Sequence, residues 1–133
     1  MIVCLDSNIV VYLIETDPTW TPKAAARMGA LRAAGDEVAV CDAARLECLI
    51  GPMASGAKGV EAHYRAFFAD PLVRLLPVSS ATWEQAAQLG ATFNFKPMDS
   101  LHLATAIEHG CGLFLTADGR LGRCTAIAVE VLK

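Results

Sequence analysis

At 133 residues, 54% of them hydrophobic, the chain fits one domain and can bury a core without disulfide or metal staples. The mean hydropathy of +0.41 favours a sheet covered on both faces. A net charge of −3 argues at first against a nucleic-acid partner, no apolar run nears the ~20 residues that span a bilayer, and Asp6 interrupts a terminus lacking a basic signal segment. The reading is a cytoplasmic protein with no membrane part.

Met1-Ile2-Val3-Cys4-Leu5-Asp6 is a short apolar run ending in a carboxylate, which predicts a buried strand over 2–6. A helix follows over about 8–15 and breaks at Thr16-Asp17-Pro18. Thr21-Pro22 reads as N-cap and first position of a second helix running to Gly35. Val38–Cys41 is the second strand, after which Asp42 can cap a third helix that Gly51-Pro52 stops. An amphipathic helix from Val60 to Ala69 carries Tyr64, Phe67 and Phe68, read as core or subunit interface rather than a base-stacking surface.

Val73–Val78 is a third strand, placed at an edge by Pro77. Ser80 caps a helix through Trp83, Ala86 and Leu89 to Gly90. After Phe95–Ser100, the helix through Leu101–Gly110 is apolar or small almost all round, as expected of one pressed against a sheet, and has Asp99 in its first turn. Gly112–Thr116 is a fourth strand with Asp118 just beyond it. Gly119 and Gly122 break up a short segment before a last strand over 126–131. Alternating strands and helices predict one α/β domain over 1–133, its central sheet of four or five strands mainly parallel with helices on both faces.

The five cysteines, Cys4, Cys41, Cys48, Cys111 and Cys124, are odd in number and never in C-x-x-C spacing. They read as small buried hydrophobes in a reducing compartment, not as a disulfide framework or zinc site.

Asp6 ends a strand, Asp118 follows one, and Asp99 and Glu47 sit on helices that start just past turns. Parallel strands bring their carboxyl ends to one edge, where open α/β sheets bind ligands. Each acid alone has a plainer reading as cap, turn former or surface charge. Together they would repel, by about 3 kcal/mol for two carboxylates ~5 Å apart at an effective dielectric of 20. Such a cluster calls for protons or a cation, and hard oxygen ligands without His or Cys select Mg²⁺ or Mn²⁺ over zinc. The charge objection then weakens: with four of the 14 acids committed to a cation, ten face 11 basic residues. A cation held by acids suits phosphodiester hydrolysis.

Leu5-Asp6-Ser7-Asn8, Arg45-Leu46-Glu47-Cys48-Leu49-Ile50-Gly51, Asp99-Ser100-Leu101-His102-Leu103-Ala104-Thr105-Ala106 and Leu115-Thr116-Ala117-Asp118, in this order and spacing, resemble the PIN-domain nucleases. Within that family the chain looks like a VapC-like toxin of a toxin–antitoxin pair. The resemblance implies a metal-dependent endoribonuclease that leaves a 5′-phosphate, with Asp6, Glu47, Asp99 and Asp118 as the catalytic, metal-binding quartet. Asp6 and Asp99 would be direct ligands, and Glu47 and Asp118 would act directly or through water. Asn8 and Thr116 match positions that brace the carboxylates. It also implies a Mg²⁺ or Mn²⁺ cofactor, an RNA substrate, a cognate antitoxin threaded across the groove, and a homodimer.

Asp42 departs from the pattern, standing where many relatives have Ser or Thr, as does Gly119-Arg120, near where an aromatic is common. His102 shares the Asp99 face of its helix and reads as a brace or surface residue rather than a ligand. Lys96, Arg120 and Arg123 flank the last two acids, and Arg45 lies two residues before Glu47; these are candidate RNA phosphate contacts, with solvated surface charge as the alternative. Two rival functions remain. One is a catalytically silent PIN-like binding module. The other is an aspartyl-phosphate hydrolase of the haloacid dehalogenase type, whose D-x-D pattern is broken by Asn8, removing the general acid.

Overall fold

In the computed structural model, which describes residues 1–133, the apolar runs form Ile2–Leu5 (β1), Glu37–Cys41 (β2), Val73–Leu76 (β3), Leu113–Thr116 (β4) and Val129–Val131 (β5). All pair in parallel, in the order β3-β2-β1-β4-β5. The helices are Ser7–Ile14 (α1), Trp20–Ala33 (α2), Ala43–Ser55 (α3), Lys58–Ala69 (α4), Ser80–Phe93 (α5) and Pro97–Glu108 (α6), with a 3₁₀ turn at Gly119–Arg123.

The period of two along β1 sorts the core. Val3 and Leu5 join Val38, Val40, Tyr64, Phe68 and Leu115 on the face covered by α1 to α4. Cys4 joins Ala39, Cys41, Leu89, Leu101 and Phe114 on the face covered by α5 and α6. A one-residue slip would swap every one of these side chains between faces, so register is tightly specified. All five cysteines are buried and free, and Tyr64 and Phe68 are core residues, as the sequence suggested.

From β1 the chain proceeds outward through β2 to β3, an edge strand as Pro77 implied, then returns to β4 on the other side of β1. The strand order therefore reverses between β1 and β4. A crevice opens at the carboxyl ends of two such strands, because their connections leave in opposite directions.

Several boundaries differ from the sequence reading. α2 begins at Trp20, because the Asp17 carboxylate receives the Thr19 and Trp20 N–H groups while Thr21 Oγ1 turns back to the Tyr12 carbonyl. Gly51-Pro52 does not stop α3. Proline lacks one donor but Pro52 O still accepts from Ala57 N, and the helix ends at Gly56, whose φ of 73° is the left-handed conformation glycine takes readily. Asp42 makes no capping bond, since its carboxylate is taken by Arg45. Ser79 rather than Ser80 caps α5, in a reciprocal box with Thr82, and the helix passes Gly90 to end at Asn94. β3 stops at Leu76 and β5 starts at Val129, both shorter than read. No helix is long and apolar enough to cross a membrane.

Candidate functional site

Asp6 stands at the end of β1 as the N-cap of α1, buried to 4% exposure. A carboxylate so buried needs donors. Oδ1 accepts the Ser7 N–H at 2.8 Å; Oδ2 accepts the Thr116 hydroxyl at 2.7 Å and the Asn8 amide at 3.3 Å. Thr116, the last residue of β4, spends its one donor on Asp6 and accepts the Asp118 N–H at 3.0 Å and the Asn8 amide at 3.3 Å. Asn8 Oδ1 accepts the Ala117 N–H at 3.1 Å. Asn8 and Thr116 thus tie the ends of β1 and β4 together across the crevice. Burial raises the Asp6 pKa and the Glu47 charge adds to this, opposed by the His102 charge and the Thr116 and Ser7 hydrogen bonds.

Asp99, in the first turn of α6, is half-buried, and its one ion pair is a long contact of 3.9 Å to Arg120. Burial raises its pKa, as do the charges of Asp6 and Asp118, with Arg120 and His102 opposing. Asp99 is therefore within electrostatic reach of both other aspartates. Asp118 caps the 3₁₀ turn and is gripped by Arg120: Nε lies 3.1 Å from both carboxylate oxygens and Nη2 lies 2.5 Å from Oδ2. That guanidinium holds the Asp118 carboxyl below the usual carboxylate range, with Lys96 adding a smaller pull.

Glu47, on α3, points to the same edge and is held there. Its Oε1 accepts the Ser7 hydroxyl at 2.7 Å and pairs with His102 Nε2, which also lies 3.2 Å from Ser7 Oγ. His102 is 1% exposed, so it is a buried partner of Glu47 and not a surface residue. Burial alone would depress its pKa. The neighbouring Cys41 thiol, Glu47 and the Asp6 charge outweigh burial and lift it to about 10. Its Nδ1 is buried without a hydrogen-bond partner, the thiol lying beside the ring without meeting hydrogen-bond geometry there. His102 in turn holds the Glu47 carboxyl below its ordinary range, more than offsetting burial.

Of the basic residues, Arg120 sits among the acids and Lys96 acts on Asp118 from nearby. Arg123 donates to the Arg120 carbonyl and lies 5.3 Å over the Phe95 ring. Arg45 is exposed and engaged by Asp42 at 2.6 Å. The sequence reading did not single out Ser7. Its position one residue after Asp6 was the available signal.

No three His, Cys, Asp or Glu side chains converge as a ready metal cage, and Glu47 and Asp118 are engaged by His102 and Arg120. The donor set nonetheless fits a hard divalent cation. It is all oxygen, and Asp99 is a half-buried carboxylate with no close ion pair, Arg120 lying 3.9 Å away.

A PIN domain family model matches residues 3–126. Among solved structures, VapBC2 from Rickettsia felis, bound to a DNA fragment from its promoter, matches with a TM-score of 0.81 and 19% identity, covering 100% of each chain. A toxin–antitoxin complex from Klebsiella pneumoniae gives 0.71 and 20%, covering 95% of each. Mycobacterium tuberculosis VapC20, a sarcin-ricin loop cleaving toxin, gives 0.68 and 15%, covering 84% of this chain and 86% of that one. No curated protein matches in sequence. With strand order, rim and family model in agreement over nearly its whole length, the chain belongs to the PIN domain family.

Proposed function

We propose that the protein is a VapC-like toxin, an endoribonuclease dependent on Mg²⁺ or Mn²⁺ that acts in the cytoplasm. Asp6 and Asp99 hold the cation, with Glu47 and Asp118 completing the site directly or through water. The observation that carries this reading is the placement of the acids: Asp6 at the end of β1 and Asp118 beyond β4 share Thr116, and Asp99 opens α6 near enough for both charges to raise its pKa. A cation held by Asp6 and Asp99 would relieve their repulsion and would supply an activated water and charge neutralisation at the phosphodiester. The chain's own residues do the rest. Thr116, Asn8 and the Ser7 N–H fix the Asp6 carboxylate, Ser7 and His102 fix Glu47, and Lys96, Arg120 and Arg123 offer positive charge to the flanking phosphates. The assembly partners are a cognate antitoxin, as in the Klebsiella pneumoniae complex, and a second copy of the chain.

Purified protein should cleave single-stranded RNA with Mg²⁺ or Mn²⁺, stop in EDTA and recover when the metal is restored. A folded Asp99→Asn variant should be inactive; one that still cleaves would refute the assigned site. The grip of Arg120 on Asp118 favours a second reading, a silent module whose rim is neutralised from within. That reading gains if neither the wild type nor Arg120→Ala cleaves RNA with either metal.

A further inference from the structure

Beside the acidic rim, between α5 and the start of α6, lies a cleft of about 350 Å³ lined by Trp83, Ala87, Gly90, Phe95, Pro97 and Ser100. Its size falls at the lower end of the ~300–1,000 Å³ typical of small-molecule clefts. We propose that it binds one unpaired base of the RNA next to the cleaved phosphate. The inference rests on the ribonuclease reading and gives that reading a specificity element.

Trp83 is 60% exposed, a large aromatic ring left unburied on a molecule whose other tryptophan stacks on Tyr12. Exposed aromatic rings beside basic residues are the general means of holding unpaired bases, because every base has a stacking face. Phe95 is braced by Phe93, with ring centroids 5.5 Å apart, and Arg123 covers it. This places a cation at the Phe95 end of the cleft, available to an RNA phosphate.

The Ser100 hydroxyl is an independent sign of a ligand. Ser100 is 2% exposed and lines the cleft, yet its Oγ has no hydrogen-bond partner. Buried hydroxyls are rarely left unpaired, and a hydroxyl can both donate to and accept from a base edge. Gly90 lies against that atom, since a Cβ there would sit 3.0 Å from it, so an added methyl would crowd the hydroxyl and the cleft wall. Ser100 directly follows Asp99 in the first turns of α6, so base and scissile phosphate would be held by one rigid helix start.

The test uses the full chain and a labelled eight-nucleotide unpaired oligoribonucleotide, with binding read by anisotropy in EDTA so that cleavage is absent. Trp83→Ala and Gly90→Ala should each weaken binding about tenfold, the loss expected for one stacked base. Ser100→Ala, which removes only the hydroxyl, should flatten the preference among oligonucleotides that differ in the base beside the cut. Melting curves confirm that each variant folds. Unchanged affinity in Trp83→Ala and Gly90→Ala overturns the proposal, as does Trp83→Ala converting a dimer into monomers by light scattering, which would make the cleft a contact between copies. Wild-type protein that binds the oligonucleotide through Trp83 but never cleaves RNA with metal sinks the nuclease reading and leaves the cleft standing.

Discussion

His102 and Glu47, 55 residues apart in sequence, meet beneath the acidic rim, with the imidazole sealed from solvent and the carboxylate partly open to it. The pair anchors α3 to α6 and sets the direction of the Glu47 side chain. His102→Ala should therefore lose stability through the cavity and the broken pair, by about 2–5 kcal/mol. A Gln in its place retains a donor of similar reach and should recover part of that loss. Calorimetric Mn²⁺ titration of the two variants separates roles: if Glu47 helps hold the cation, binding weakens in His102→Ala and is partly rescued in His102→Gln.

Arg120 competes with any cation for Asp118 and Asp99. Its ion pairs are exposed and screened by solvent, so Arg120→Ala should leave stability nearly unchanged. Divalent binding should tighten. The variant removes a positive charge from beside Asp118 and Asp99, so a divalent cation held there would meet less repulsion. Weaker Mn²⁺ binding in this variant would show that Arg120 organises the acids instead of competing for them.

Thr116→Val keeps the shape of the side chain and deletes the hydroxyl that donates to Asp6 and accepts from Asp118 N. Hydrogen bonds to a charged group contribute about 1.5–3 kcal/mol each, so urea unfolding should show a loss in that range. Thr116→Ser should restore most of it. A Val variant as stable as wild type would mean that the Asp6 carboxylate does not depend on this bond.

Glu108 clasps α5 to α6 by accepting the Ser79 hydroxyl at 2.6 Å and the Thr82 hydroxyl. These bonds hold its carboxyl below the ordinary value of 4.5. A folded-state pKa that is depressed contributes stability above the unfolded value and loses it as the pH falls through the folded one. Glu108→Gln should thus be less stable than wild type at neutral pH, and the gap should close progressively below pH 4.5. Denaturation midpoints across that range check the sign; a gap that widens in acid contradicts it.

The α/β architecture was legible because β1, β2 and β4 are short β-branched or apolar runs between helical patterns, and Pro77 marked an edge. Helix starts were less legible. Asp17, Thr19 and Thr21 are all credible caps, and so are Ser79 and Ser80; only the path of the chain selects which side chain meets free N–H groups. Gly51-Pro52 misled because a proline in a helix costs a bond without ending it when the surrounding packing holds.

The sequence by itself determined that an aspartate ends the first strand, that three more acids follow strands or open helices, and hence that one sheet edge is acidic. Strand ends are local properties, set by periodicity and by the carboxylate that interrupts an apolar run. Only the tertiary structure decided what each acid touches: Asp6 with Thr116 across 110 residues, Glu47 with buried His102, and Asp118 within the reach of its neighbour Arg120. Those contacts depend on sheet order and side-chain rotamers, since a hydrogen bond needs its partners within a few tenths of an ångström, a tolerance no spacing along the chain can specify.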